Sequence, residues 1–452
     1  MKNELIVLPH DPSWDEARLA WNRAADQQPA AVALPESPRD VAAVVRWARE
    51  RGLRVAPQGT GHNAIALGSL AHTILLKTER MRGVNVDVRK RRAGVGAGVL
   101  WGDVTHVASA HGLAALAGSS PDVGVVGYTL GGGLSWLGRR YGLASNSVTA
   151  VELVNADGEL IRADADQHAD LFWALRGGGG SFGVVTALEF ELYPVTDVYA
   201  GILFFPLERG AEVLRAWRRW VDEVPDEVTS VGRFLQFPPL PQVPEPLRGG
   251  SFAVVEAVSM LGEDTTDELL RPLRELGPQR DTFATIPARE LEHLHMDPKQ
   301  PVPGATDGIV LADVTDAAID ALVETAGAGA RSPLLSLELR HAGGALARKA
   351  PGAGAVSAIE GRFVMNAVGM APTPEAGAAV RAHIELVQSA VGRWDSGRSF
   401  SNFATKRERG ERLFGEETYR RLQAVKAAVD PDDVFRSNHP VRLPAADVRQ
   451  AA

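Results

Sequence analysis

The sequence predicts an α+β protein in two parts, and three observations predict it. Short apolar strands alternate with amphipathic helices along the chain. Glycine clusters crowd the first half, at residues 59–61, 124–133 and 177–180. Past Pro194 they give way to longer strands separated by helices. A chain of 452 residues, 45% hydrophobic and 23% charged, has the composition of an ordinary globular protein with a large core.

In chain order, Ser37, Pro38 and Asp40 read as an N-cap, an N1 proline and an acidic N3. Val41, Val44, Val45 and Ala48 follow on one helical face until Gly52 stops the helix. Residues 53–57, 73–77 and 92–97 read as short strands, and helical spacing returns over 100–110. After a glycine-punctuated stretch over 118–141 come a hairpin over 152–161 turning at Asp157-Gly158, a helix over 169–176 and a strand over 184–192. Beyond Pro194 the pattern marks strands 252–260, 333–341 and 362–368, helices 211–224 and 374–391, and a proline-rich loop over 237–246. Helix 419–429 is stopped by Asp430-Pro431, and a loop-like tail runs over 434–441.

The net charge of -8 offers no basic face for nucleic acid. No apolar run nears the roughly 20 residues that span a bilayer, and residues 1–10 lack a basic and then apolar leader pattern. The expectation is a cytoplasmic protein with a small-molecule substrate and neither nucleic acid nor membrane as partner. With no cysteine, disulfides, thiolate metal sites and any cysteinyl bond to a cofactor are excluded. His293 and His295, with Asp297 nearby, could seed a metal site but lack an evident further ligand; two histidines flanking a leucine in a loop read as surface or pocket residues, and no metal is expected.

Gln58, Gly59, Thr60, Gly61, His62 and Asn63 follow directly on a strand, where the N–H groups of a glycine loop can surround a phosphate. With Ala64 they also satisfy G-x-G-x-x-A, and Glu79 stands near the place of a Rossmann ribose-binding acid. Against that, Gly68 interrupts the next segment and a strand follows almost at once, leaving little room for a crossover helix. A plain structural turn is the third reading. The run Gly131-Gly132-Gly133 costs backbone entropy unless the backbone must hinge or approach a ligand. Clusters gathered in one half favour a single extended ligand lying across several loops.

Together the motifs resemble a known family. Pro-x-Gly-x-Gly-His-Asn over 57–63, Val-Gly-x-x-Gly-Tyr-x-x-Gly-Gly-Gly over 123–133, Asp-Leu-Phe-Trp-Ala-Leu-Arg over 170–176 and Phe-Gly-Val-Val-Thr over 182–186 are similar to the vanillyl-alcohol-oxidase-like flavoproteins, and within them to the berberine bridge enzyme group. Asp-Pro-x-x-Val-Phe-Arg-x-Asn over 430–438 is similar to the family's C-terminal pattern. The resemblance implies a split PCMH-type FAD-binding module of two α/β subdomains, made by residues 1–195 and the returning segment 396–452. It implies an inserted substrate domain, 196–395, of antiparallel sheet covered by helices. It further implies FAD, with its pyrophosphate on Gly59, Thr60 and Gly61 and a covalent histidyl link at His62, flanked by Gln58 and Asn63. Ser119, Ser120, Val123, Gly124, Gly127, Tyr128, Gly132, Gly133 and Val184 match positions that wrap the cofactor, and Asn438 matches the position where the tail closes over it.

Two departures stand out. Many relatives make a second flavin link from a cysteine; Ser120 stands in its place here, so attachment through His62 alone is expected, with a lower flavin potential than in doubly linked relatives. Many relatives also carry a tyrosine base in a Tyr-x-Asn-Tyr segment, where this chain has Phe400-Ser401-Asn402-Phe403. No ring hydroxyl is available there to deprotonate an alcohol. Phe400 and Phe403 are expected to line the substrate pocket and Asn402 to act in it. Residues 336–341 read as a strand with Glu338 and Arg340 on one face and His341 on the other, similar to the family strand that faces the flavin. Glu338 is the candidate base and Arg340 the candidate partner for a phenolate or enolate; an ion pair on a solvated sheet face is the plainer reading. Val123 matches the position that admits oxygen when small.

The expected activity is that of an FAD-dependent oxidase, passing hydride from a small organic substrate to flavin N5, with molecular oxygen reoxidising the flavin to give hydrogen peroxide. An aromatic or polycyclic secondary metabolite or an amine is the expected substrate. A sugar or alcohol oxidase of the same family, and a flavin-bearing protein that sequesters a drug-like ligand, are the alternatives.

Overall fold

The computed structural model describes residues 5–241 and 243–444; residues 1–4, Gln242 of the proline-rich loop and residues 445–452 of the expected returning segment lie outside the described residues. Three sheets carry the chain. In the first, Ala31–Ala33, Thr73–Lys77 and Arg54–Gln58 run parallel and Ile6–Val7 closes one edge antiparallel. Thr73–Lys77 is buried at every position, as a parallel strand covered on both faces requires. Helix Pro38–Arg49 packs Val41, Val44, Val45 and Ala48 inward, and Ser37 caps it by accepting from the Asp40 N–H. Between Arg54–Gln58 and Thr73–Lys77 the chain forms only the short 3₁₀ turn Ala64–Leu67. The glycine loop therefore opens no crossover helix, and the Rossmann reading falls.

The second sheet is antiparallel and orders Val84–Asp87, Arg92–Gly96, Val184–Glu191, Val148–Val154 and Leu160–Asp164. Helices Trp101–Ser109 and Ala169–Leu175 share a core with it through Trp101, Phe172, Phe182 and Phe190. The glycine-punctuated stretch contains a helix, Val125–Leu130, which its glycines conceal from periodicity.

The third sheet is eight-stranded and antiparallel, running Arg280–Asp281, Asp197–Pro206, Ser251–Ser259, Val228–Gln236, Leu334–His341, Phe363–Met370 and Gly304–Leu311, with Ala284–Pro287 on Asp197–Pro206. Side chains alternate across it. Leu337, Leu339, Met365 and Val255 join a core with Trp217, Leu270, Leu322 and Ile384 of the covering helices. The other face turns toward residues 114–144 of the N-terminal half. Strand Val228–Gln236 escapes sequence reading because Gly232 and Arg233 break its apolar run, and helix Glu263–Arg274 carries Pro272 within it.

The last helix, Glu416–Val429, returns the chain to the first sheet. Lys426 and Asp430 are both fully buried and paired with each other. Lys426 Nζ also donates to the Ser181 carbonyl at 2.9 Å, and the Asp430 carboxylate accepts the Val434 and Phe435 N–H groups at 2.8 and 2.9 Å. The tail then lies beside Arg54–Gln58: Val55 N–H donates to the Val434 carbonyl at 2.8 Å and Arg436 N–H to the Val55 carbonyl at 2.9 Å. Burial lowers the Lys426 pKa, and Asp430 opposes that shift. Removing one partner of such a pair strands a buried charge, so Lys426→Met is expected to cost about 3–5 kcal/mol. A urea midpoint equal to wild type would refute that assignment.

Candidate flavin site and its charged neighbour

The fold gathers the glycine clusters. Thr60 of the first lies against Gly124 of the second, where a built Cβ would sit 3.7 Å from Thr60 Cγ2. Gly179 of the third donates its N–H to the Leu130 carbonyl at 3.0 Å, and Ser181 meets Ser437 of the tail through their hydroxyls at 2.8 Å. Gly133 adopts φ +76°, and a side chain there would strike the Tyr128 ring.

His62 is held on three sides. Thr60 Oγ1 lies 2.7 Å from Nδ1, and the Trp21 indole stacks on the ring with centroids 4.0 Å apart. Asp122 Oδ1 stands 3.5 Å from Nε2, close enough for an ion pair but not aligned as a hydrogen bond. Asp122 also accepts the Trp21 indole N–H and the Ser120 hydroxyl. Burial pushes the Asp122 pKa up, but His62 and Ser120 outweigh it and hold the group below its ordinary value. Trp21 belongs to an N-terminal strap: Trp21 and Asn22 donate their N–H groups to the carbonyls of Thr60 and Gly61 at 2.9 and 3.4 Å. The Asn22 amide exchanges two hydrogen bonds with Gly304 of the third sheet, at 3.0 and 3.1 Å.

Three side-chain atoms of this loop, Gln58 Nε2, His62 Nε2 and Asn63 Oδ1, are buried without a hydrogen-bond partner. Among the described residues, no protein acceptor meets the backbone N–H groups from Gly59 to Asn63. Buried polar atoms are seldom left unpaired, and so many on one loop fit a polar ligand carrying phosphate. A Cβ built on Gly127 would meet nothing within 4 Å. Tyr128 donates its hydroxyl to the Leu116 carbonyl at 3.1 Å, and burial raises its pKa far above the ordinary value. Ser119 donates to Asp297 at 2.8 Å, Val123 and Val184 pack into neighbouring cores, and Asn438 Oδ1 accepts the His439 N–H at 3.1 Å.

The segment expected to line the substrate pocket is placed differently. Asn402 donates to the Tyr128 carbonyl at 3.0 Å and accepts the Gly133 N–H at 3.1 Å, so both ends of its amide brace the second glycine cluster rather than facing a substrate. Phe400 packs on Gly132 and is only 4% exposed, a core residue rather than a pocket wall. Phe403 is half-buried, with the Arg340 guanidinium 5.0 Å from its ring centroid.

On the third sheet, the face opposite its helices carries Arg233, Glu256, Glu338, Arg340 and Asn366 on adjacent strands. His295, just after the short helix Leu291–Leu294, drops among them, with Nδ1 2.5 Å from Glu256 Oε2 and Nε2 2.7 Å from Glu338 Oε2. Arg233 Nη1 pairs with Glu256 Oε1 at 2.6 Å. Glu338 Oε1 accepts from Arg340 Nε at 2.9 Å and Asn366 Nδ2 at 3.2 Å. Burial favours neutral Glu338, but Arg340 and His295 hold its carboxyl well below the ordinary range. Burial and the Arg233 guanidinium push the His295 pKa down; the two carboxylates outweigh them and raise it. Glu338 and Arg340 thus share one face as the strand pattern predicts, though buried rather than solvated, and His295 is a buried hub rather than a surface residue. The missed partners had a signal: a lone acid in SFAVVEAVS and a lone guanidinium in VTSVGRFLQ. Among the described residues no metal-ligand cluster occurs.

A family model described as an FAD binding domain matches residues 29–164, and one described as berberine and berberine like matches residues 399–442. The (R)-6-hydroxynicotine oxidase of Paenarthrobacter nicotinovorans is 37% identical over 188 residues, 42% of this chain and 41% of that protein. An uncharacterized FAD-linked oxidoreductase of Bacillus subtilis, YgaK, is 31% identical over 230 residues, 50% of this chain and 51% of that protein. The chain thus spans about half the length of these relatives. Among solved structures, 6-hydroxy-D-nicotine oxidase from Arthrobacter nicotinovorans aligns with a TM-score of 0.82 at 25% identity over 98% of both chains. Physcomitrella patens BBE-like 1 aligns with a TM-score of 0.85 over 98% of this chain and 97% of that one, at 22% identity, a likeness of fold.

Residues 29–164 match an FAD binding domain, and fold and glycine loops together are similar to the vanillyl-alcohol-oxidase-like class. Within that class the chain is similar to the berberine bridge enzyme-like proteins, by the model matched at residues 399–442 and by its relatives. Because Asn402 braces the glycine cluster, Asn402→Ala leaves the Gly133 N–H and the Tyr128 carbonyl unpaired, at about 1–3 kcal/mol. A lower thermal midpoint is expected; wild-type stability would contradict the brace.

Proposed function

We propose that the chain is an FAD-dependent oxidase whose flavin is attached covalently through His62 alone. Its substrate is an aromatic or polycyclic small molecule or an amine, and molecular oxygen is the electron acceptor. The observation that carries this reading is the His62 loop, with its unpaired N–H groups and the orphaned atoms of Gln58, His62 and Asn63. When bound, the flavin supplies the hydride acceptor and the centre that reacts with oxygen to give peroxide.

The chain's residues do the rest. Gly59, Thr60 and Gly61 receive the pyrophosphate, Thr60 and Trp21 fix the His62 ring, and Asn402 keeps the second cluster in place. In this reading residues 1–195 and 396–452 form the cofactor module and 196–395 the substrate domain. Ser119, Ser120, Val123, Gly124, Gly127, Tyr128, Gly132, Gly133, Val184 and Asn438 wall the cofactor, several of them through backbone alone. Glu338, Arg340 and Phe403 stand on the substrate side. A sugar or alcohol must give up a hydroxyl proton, and Glu338 and Tyr128 are both engaged in other hydrogen bonds. An amine surrenders hydride from its α-carbon without that demand, and the name of the 37% identical relative adds support.

Acid-precipitated wild-type protein is expected to stay yellow, and His62→Ala to release its flavin into the supernatant. Aerobic incubation with a panel of aromatic amines is expected to yield hydrogen peroxide. Free flavin from the wild type would sink the covalent link, and reduced flavin that persists in air would sink the oxidase.

A further inference from the structure

The charged cluster on the third sheet contains a residue that the proposed reaction does not use. His295 is 3% exposed, and each of its ring nitrogens faces a carboxylate more closely than any other group. The charged groups facing it come from three neighbouring strands: Arg233, Glu256, and Glu338 with Arg340, the last also under the influence of Asp297. Trp136 from the N-terminal half meets the ring edge-on at 5.9 Å. With both ring nitrogens donating to carboxylates, Arg233, Arg340 and the His295 imidazolium face Glu256 and Glu338, so the directly bonded groups carry one positive charge, with the Asp297 carboxylate acting on Arg340 from outside them.

That surplus has one outlet. Arg233 is spent on Glu256, Ser336 and the His295 carbonyl. Both Glu338 oxygens are occupied. Arg340 uses Nε and Nη2 on Glu338, whereas among the described residues no acceptor meets its Nη1. Its side chain keeps 12% exposure and its plane lies near the Phe403 ring. A planar donor end above a flat aromatic surface suits a planar anion.

We propose that His295, gripped between Glu256 and Glu338, is a positioning residue that keeps Glu338 occupied and presents Arg340 as the anchor for a substrate bearing an anionic oxygen on an unsaturated skeleton, a phenolate or an enolate. This rests on the reading of the Glu338 face as the substrate side. It gives Arg340 the role of recognition and removes Glu338 from proton transfer while His295 carries its proton. The two carboxylates raise the His295 pKa, so the proton is held more firmly than by a free imidazole and is lost as pH rises through that raised value. The cluster then loses its surplus charge and its hold on the anion.

The test uses flavin-loaded protein and para-nitrophenol as the probe, with binding read by equilibrium dialysis across a pH series. Wild type is expected to bind the phenolate and to lose it on the alkaline side; the acid limb belongs to the ionisation of the probe and is common to all variants. Arg340→Gln is expected to bind at least about tenfold more weakly at every pH with unchanged flavin content. Glu256→Gln removes one of the carboxylates that hold the imidazolium, so its alkaline loss is expected at lower pH. A purely structural pair would weaken binding or stability without moving that limb. Undiminished binding by Arg340→Gln overturns the anchor, and an unmoved limb in Glu256→Gln overturns the role of His295. If Glu256→Gln does not fold, His295→Gln serves, with no alkaline limb expected and a retained one counting against the proposal. Binding is read without turnover, so a protein that yields no peroxide with any substrate would fail the oxidase reading and leave this result to stand separately.

Discussion

Two distant stretches of chain meet at the first sheet, and the buried Lys426–Asp430 pair decides how they meet. A buried ion pair contributes little net stability, because desolvation offsets most of its attraction. Its value here is geometric. Asp430 takes the N–H groups of Val434 and Phe435, and Lys426 reaches the carbonyl of Ser181, so the turn after the last helix has one favourable direction. The tail is thereby laid against Arg54–Gln58, the strand from which the His62 loop emerges. That strand is flanked by Thr73–Lys77 on one side and by the tail on the other, which fixes where the loop begins.

A similar economy governs the third sheet. One face is apolar and packs its helices; the other gathers five ionisable groups into a single patch. Each is costly to bury alone, and each is compensated: Arg233 by Glu256 on the next strand, Arg340 by Glu338 on its own, and His295 by both carboxylates. The antiparallel register puts Arg233 opposite Glu338 and Glu338 opposite Asn366, so the network is a property of strand pairing. A one-residue slip of Leu334–His341 would turn Glu338 and Arg340 into the helical core.

The glycine loops were legible because glycine tolerates conformations that few other residues do, and the helix Pro38–Arg49 because its cap and periodicity agree. The roles of Asn402 and Phe400 were not, since a motif position says which residue stands there but not which way the side chain turns. His295 was hidden for another reason. Its partners, Glu256, Glu338 and Arg233, come from strands far apart in the chain, and no local pattern around residues 293–297 announces them. The isolated acid in the strand Ser251–Ser259 was the legible half of that contact.

The strap at Trp21 and Asn22 bears on how the His62 loop and the third sheet are held together. Its backbone bonds to the His62 loop, its indole covers the histidine ring, and its amide is stitched to Gly304 on the opposite sheet. Widening the gap between the two halves at this point means parting that stitch and baring the histidine together. The strap therefore holds the His62 loop and the third sheet at a set separation on this side, and a change that loosens either end is felt at the histidine.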